Sequence, residues 1–191
     1  IGMTKKLIEQ SEYLVAVFDS GGQSFRNDIY EDYKANRGEA PEDISLQFPK
    51  IIEYLEARGV KVLSVDNYEA DDVIGSLVKQ FGSQHEITIL SGDKDFTQLI
   101  DRKINMIDAK GKTYSPQEVI KKYGVKPSQM VDFLALVGDS IDNIPGVRGI
   151  GPKAAQELLV KYKTLENIYK NLKKIERLRI RELLSDYKQE A

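Results

Sequence analysis

Cysteine and tryptophan are absent from this 191-residue chain, and histidine occurs once, as His85. The lack of cysteine excludes a disulfide framework, a thiolate metal site and a thiol nucleophile, and it fits a reducing, cytoplasmic location. His85 lies in a "GSQHE" loop, reads as solvent-exposed and is assigned no role. No apolar run is long enough to span a bilayer, so no membrane association is expected. An excess of one sign of charge is lacking as well: with 28 Lys/Arg against 30 Asp/Glu, a net charge of −2 argues against a uniformly basic nucleic-acid binder.

The chain does have the 41% hydrophobic and 30% charged residues of an ordinary globular protein. Its length allows one fair-sized domain, or a domain with a small appendage, and a monomer is expected. The charges are unevenly spread. Residues 66–95 hold seven acids and two bases, whereas residues 143–191 hold eleven Lys/Arg and six Asp/Glu. An acidic centre beside a basic end suits a metal site next to a polyanion-binding surface, with solvated helix faces accounting for part of the basic excess.

Tyr13–Asp19 ("YLVAVFD"), Val60–Val65 and Glu86–Asp93 are short apolar runs bounded by turn residues, the pattern of buried parallel strands. Helical periodicity separates them. Ile44, Phe48, Ile51, Ile52 and Leu55 share one side of a helix predicted over 44–58; Val73, Ile74, Leu77, Val78 and Phe81 do so over 70–81. This alternation predicts an α/β fold with a parallel sheet. "INMID" (Ile104–Asp108) reads as a further strand, after which helices dominate. Ser115, Pro116 and Glu118 predict a capping box. Ser128–Gly138 predicts a helix ending at the glycine. The domains are read as a core over 1–110 and a helical region over 111–191.

Eight carboxylates follow these strands and the last of these helices: Asp19; Glu69, Asp71 and Asp72; Asp93 and Asp95; Asp139 and Asp142. In an open parallel sheet, ligands bind beyond the carboxyl ends of the strands, so the first three groups are expected to converge, with the fourth folding over them. Carboxylates crowded in this way repel one another unless cations neutralise them. Oxygen donors without histidine or cysteine point to Mg²⁺ or Mn²⁺. Two such ions roughly 4 Å apart are the usual device for in-line phosphoryl displacement. Taken singly, each group has an ordinary structural reading. Asp-x-Asp after a strand is commonly an N-cap or turn, and "EADD" suits the positive end of a helix. Recurrence at equivalent positions is what argues for metal.

Ile144–Leu159 ("IPGVRGIGPKAAQELL") places Gly146, Gly149 and Gly151 for two tight turns and Pro152 at a helix start. Backbone N–H groups there can bind a phosphate without reading a base. The pattern resembles the helix-hairpin-helix DNA-binding element, over about 139–160. Together with "FRNDIYEDYKANR", "YEADDVIG", "SGDKDFTQL", "LALVGDSIDNIPGVRGIGPKAA" and "KTLENI", it makes essentially the whole chain similar to the 5′-nuclease family. That family includes flap endonucleases and the 5′→3′ exonuclease domain of bacterial DNA polymerase I.

The resemblance implies a parallel-sheet (PIN-like) core with a helical arch at about 20–43, followed by the helix-hairpin-helix region. It implies a phosphodiesterase acting on DNA at 5′ single-strand/duplex junctions in replication and repair. Asp19, Glu69, Asp71, Asp72, Asp93, Asp95, Asp139 and Asp142 would hold two Mg²⁺ or Mn²⁺ ions, directly or through water. Glu69, Asp71 and Asp19 would serve chiefly one ion, and Asp139 with Asp142 the other. Arg26, Lys34 and Arg37 would contact phosphates, with Lys34 and Arg37 nearest the scissile one and therefore catalytic. Tyr30 and Tyr33 would stack on unpaired bases, or else simply pack at i and i+3. Gly146, Gly149, Gly151 and Lys153 would grip duplex DNA. The Val147 and Ile150 carbonyls would hold a monovalent cation such as K⁺.

Family members ordinarily begin with an apolar strand ending in Asp-Gly, whereas "IGMTKKLIEQ" resembles the helix after that strand; the family also continues past "LLSDYKQEA". An excerpt of a longer chain is therefore expected, and not a fully active nuclease in isolation. Two readings compete. One is a non-catalytic helix-hairpin-helix module that binds DNA junctions. The other is a different acidic metal nuclease or a topoisomerase-primase-like domain, which leaves the arch and hairpin residues unexplained.

Overall fold

The computed structural model describes residues 7–9, 11–38 and 41–188 and, at 42 and 43, the backbone alone. The helix expected over residues 1–10 lies largely outside these, with 7–9 helical. The chain packs as two units, one of residues 1–32 and 37–76, the other of residues 33–36 and 77–191.

In the first unit, β1 (Val15–Val17) runs parallel to β2 (Lys61–Leu63), with Val15 opposite Lys61 and Val17 opposite Leu63. The Phe18 N–H donates to the Leu63 carbonyl at 2.9 Å, carrying the pairing up to Asp19. Among the described residues, three helices lie between the strands: α1 (Phe25–Ile29), α2 (Glu42–Ser45) and α3 (Phe48–Ala57). The helix predicted over 44–58 is therefore interrupted. Pro49 has no N–H to give the Ser45 carbonyl and its ring crowds that turn, so the helix must restart. Its apolar face is also less covered than the periodicity implies. Leu55 is buried, but Ile44, Phe48 and Ile51 keep exposures of 48%, 43% and 42%, because two short strands offer little area to pack on. Phe48 meets Phe18 edge-on at 6.1 Å, and Phe25 packs on Tyr68 at 5.5 Å. Helix α4 (Ala70–Phe81) has the range its periodicity predicts.

In the second unit, β3 (Ile87–Leu90) pairs parallel with β4 (Ile104–Ile107), and β5 (Thr113–Tyr114) pairs antiparallel with β4. The α/β expectation holds, but the strands form a two-stranded parallel sheet and a three-stranded mixed one. The antiparallel edge arises in the turn after β4. Asp108 Oδ1 accepts the N–H groups of Lys110 and Lys112 at 2.9 Å each, and Gly111 takes φ +81°, which reverses the chain. In α5 (Pro116–Tyr123), Ser115 Oγ accepts the Glu118 N–H at 3.4 Å. The other half of the predicted box is not made, since the Glu118 carboxylate faces Lys112 and Lys121 at 3.9 Å each. Helix α6 (Met130–Val137) stops at Gly138, φ +80°, as expected. Helices α7 (Pro152–Tyr162), α8 (Leu165–Lys170) and α9 (Leu178–Asp186) follow. Val119, Met130, Leu136, Leu159, Ile168 and Leu184 are wholly buried and form the core of this unit. Each contributes roughly 1.5–3 kcal/mol of hydrophobic stabilisation.

Candidate metal centre

In the first unit, the acids cluster where β1 ends and α4 begins. Asp19 Oδ1 accepts the Ala70 N–H at 2.7 Å, which ties strand to helix. Asp72 accepts the Glu69 N–H at 3.1 Å and receives both Arg26 guanidinium nitrogens, at 2.6 and 2.8 Å. Glu69 Oε1 accepts the hydroxyl of buried Ser24 at 3.2 Å, and Glu69 Oε2 lies 4.0 Å from Arg26. Asp71 stands half-buried in the same first turn. Helix N–H groups and one guanidinium thus share the repulsion here. Arg26, which the resemblance assigns to phosphate, is held by Asp72 and stacks 4.8 Å over Phe25.

In the second unit, a tightly built loop presents Asp139 and Asp142. Asp139 and Ile144 exchange backbone hydrogen bonds at 2.8 Å, and the Val147 N–H donates to the Leu136 carbonyl at 3.0 Å. Gly146, φ +60°, sits so close to the end of α6 that a Cβ on it would lie 2.3 Å from the Gly138 nitrogen. Asp93 caps a 3₁₀ turn, Lys94–Leu99, by accepting the Asp95 N–H at 2.9 Å. One carboxylate oxygen from each of Asp95, Asp139 and Asp142 then falls within 4.8 Å of the others. Among the described residues, no other three acids meet in this way.

Asp95 Oδ1 is buried and accepts no hydrogen bond. The Lys94 ammonium stands 3.8 Å from it and 2.5 Å from Asp139 Oδ2. Burial, then the charge of Asp93, push the Asp95 carboxyl above the usual carboxylate range, with Lys94 opposing. Burial pushes Asp139 up as well, but the Lys94 hydrogen bond and the Ile141 N–H outweigh it and leave Asp139 below the usual range. Three converging carboxylate groups, one of which carries an unsatisfied buried oxygen, fit a hard divalent cation.

Four residues from the predicted arch pack in this second unit. Tyr33 is buried, with its hydroxyl 3.4 Å from Asp142 Oδ2, so the ring packs instead of offering a face for stacking. Tyr30 and Arg37 belong to the first unit, where Tyr30 is half-buried and Arg37 exposed. Lys34, at φ +57°, donates its N–H to the Asp142 carbonyl at 3.0 Å and carries its ammonium 4.9 Å over Tyr33. The Asn36 amide reaches the Ser140 carbonyl at 2.8 Å.

In the hairpin element, Gly146 and Gly149 are left-handed, but Gly151 is extended (φ −90°, ψ 177°) and serves as the N-cap of α7. Lys153 is exposed in the first turn of α7. Val147 and Ile150 are buried, and the Val147 carbonyl already accepts the Ile150 N–H at 2.9 Å. The residues that sequence reasoning misses are Ser24, Asn36 and Lys94. Only Lys94 has a local signal, its place between two acids.

Fold and site together define an α/β protein with a candidate divalent-metal centre and a helical region that carries a hairpin element. Two family models cover the chain: "5'-3' exonuclease, N-terminal resolvase-like domain" over residues 1–124, and "5'-3' exonuclease, C-terminal SAM fold" over 125–191. The chain belongs to the 5′–3′ exonuclease family. A 5′-3′ exonuclease of Aquifex aeolicus is 43% identical over 171 residues, which is 88% of this chain and 59% of that protein. A DNA polymerase I of Caldicellulosiruptor bescii is 45% identical over 175 residues, covering 87% of this chain and 21% of that one. The chain therefore spans only part of the curated relatives it matches. Among solved structures, the phage T5 5′-exonuclease with bound zinc has a TM-score of 0.80 at 20% identity, covering 99% of this chain and 75% of that one. The catalytic core of Rad2 in complex with DNA substrate has a TM-score of 0.61 at 20% identity, covering 97% and 60%. No helix among the described residues is long and apolar enough to cross a membrane.

Proposed function

We propose that this chain carries the catalytic residues of a Mg²⁺-dependent, structure-selective 5′ nuclease that hydrolyses DNA phosphodiesters near 5′ single-strand/duplex junctions. The observation that carries the reading is the Asp95–Asp139–Asp142 trio with its unsatisfied buried oxygen, in a chain of this family. A divalent ion held there would supply Lewis acidity for displacement at phosphorus. Asp95, Asp139 and Asp142 are its ligands, and Asp93 positions Asp95 by capping the turn. Asp19, Glu69, Asp71 and Asp72 are the acids for a second Mg²⁺ or Mn²⁺. Lys34 and Arg37 bind the phosphate to be cleaved, and Tyr30 meets unpaired bases. Gly149 and Gly151, exposed beside Lys153, offer backbone N–H groups to duplex phosphates, whereas buried Gly146 only shapes the turn, with K⁺ bound at the carbonyls of the turn. The protein works as a monomer in the cytoplasm.

Asp95→Asn combined with Asp139→Asn in the whole protein tests this. Flap cleavage in Mg²⁺ should disappear while binding of the same DNA in Ca²⁺ persists. Undiminished cleavage by the double variant refutes the metal reading. DNA binding without cleavage by the unaltered protein, in either Mg²⁺ or Mn²⁺, favours a non-catalytic junction-binding module.

A further inference from the structure

Lys94 sets an ammonium among the carboxylates of the second unit, beside Asp139 and Asp95. Its backbone is fixed: the Lys94 carbonyl accepts the hydroxyl of Thr97 at 2.5 Å, and Thr97 is wholly buried. Its side chain is not fixed in the same sense. Four rotatable bonds carry the ammonium on a side chain that remains 30% exposed, so it has solvent to retreat into.

The ammonium contacts Asp139 Oδ2 at 2.5 Å and approaches Asp95 Oδ1 to 3.8 Å. Resting on the reading of both acids as metal ligands, we propose that Lys94 is a built-in competitor of the metal. It must leave Asp139 before a divalent ion binds there in full. A compact cation bound at Asp139 and Asp95 would meet the ammonium at close range, and two cations so placed repel. Lys94 is nevertheless an incomplete substitute. It supplies one charge where three carboxylates meet and leaves Asp95 Oδ1 without a hydrogen bond, so a divalent ion wins at sufficient concentration. Lys94 holds the acids together at low metal and in return weakens metal affinity.

The experiment compares the unaltered full chain with Lys94→Met, similar in length but uncharged, and Lys94→Arg, which keeps the charge. Mn²⁺ binding is followed by electron paramagnetic resonance of the free ion, and melting is recorded in EDTA and in excess Mg²⁺. Lys94→Met should bind one class of Mn²⁺ about tenfold tighter, a change of ~1.4 kcal/mol. It should melt below the unaltered protein in EDTA but level with it or above it in Mg²⁺. Lys94→Arg should stay close to the unaltered protein in both. An unchanged or weaker Mn²⁺ affinity in Lys94→Met overturns the proposal. So does an equal melting deficit in both buffers, the mark of a purely structural lysine. Should Lys94→Met fail to fold in EDTA, Mg²⁺ competition against bound Mn²⁺ reads the same affinity without chelator. Failure of the unaltered protein to bind Mn²⁺ at all would instead remove the metal reading itself.

Discussion

Replacing Asp95 by asparagine should make the protein more stable when metal is withheld. The Asp95 carboxylate faces Asp139 and Asp142 within 4.8 Å and has Lys94 at 3.8 Å. At an effective dielectric of about 20, the two repulsions come to about 7 kcal/mol and the attraction to about 4. The balance of about 3 kcal/mol falls to about 1–2 because the group is partly exposed and screened. For a chain of this size that is a rise in melting temperature of about 4 °C. The pH dependence has a definite sign. Burial, then Asp93, raises the Asp95 pKa in the folded protein, so the folded state binds the extra proton and ionisation costs stability as pH rises. The advantage of the amide should therefore be full at neutral pH and vanish below the ordinary aspartate pKa, where Asp95 is protonated in both states. In Mg²⁺ the order should reverse. A ligand at 100 times its dissociation constant stabilises by about 2.7 kcal/mol, and the variant forfeits much of that. Calorimetric melts in EDTA and in Mg²⁺ at two pH values decide the matter. A variant that melts lower in EDTA at neutral pH, or that keeps the full Mg²⁺ shift, refutes the idea that charge crowding strains the site.

Two further substitutions test the second unit. The Tyr169 hydroxyl is buried without a hydrogen-bond partner, so Tyr169→Phe should raise stability by about 1 kcal/mol, read as a higher urea midpoint at unchanged slope. Gly146→Ala would place a Cβ 2.3 Å from the Gly138 nitrogen and 2.6 Å from the Val137 carbonyl carbon, at φ +60°. Overpacking against backbone plus left-handed strain should cost at least about 3 kcal/mol in urea unfolding, and a loss under 1 kcal/mol would mean that the loop can move aside.

Much of what is local in this protein is legible in its sequence. The range of α4 follows from its apolar spacing, the end of α6 from Gly138, and the start of α7 from Pro152. Where two local signals conflict, the stronger one decides: an unbroken apolar face over 44–58 does not survive Pro49. Strand β5 is two residues long, too short for alternation to show, and depends on the Asp108 turn. The site is harder to read. The acid types and positions are visible, but their partners are not. Arg26 finds Asp72 46 residues away, and Lys94 finds Asp139 45 residues away. Tyr33 illustrates the limit: an i, i+3 tyrosine pair serves stacking or packing equally well, and only its burial beside Asp142 decides for packing.

Asp95 and Lys94 should act in opposite directions. Without metal, removing the acid relieves repulsion, whereas removing the lysine deepens it; in affinity, the first variant loses and the second gains. A site that must attract a divalent ion is strained by its own ligands, and one neighbouring ammonium reduces that strain at the cost of competing for the same oxygens. The geometry ranks the couplings. Lys94 lies 2.5 Å from Asp139 but 3.8 Å from Asp95. Double-mutant cycles in EDTA should therefore give a larger interaction energy for Lys94 with Asp139 than with Asp95, both inside the range of about 0.5–3 kcal/mol found for residues in contact. Equal couplings would mean that Lys94 acts as a diffuse positive charge. The ordering by distance is what a lysine seated on one particular oxygen requires.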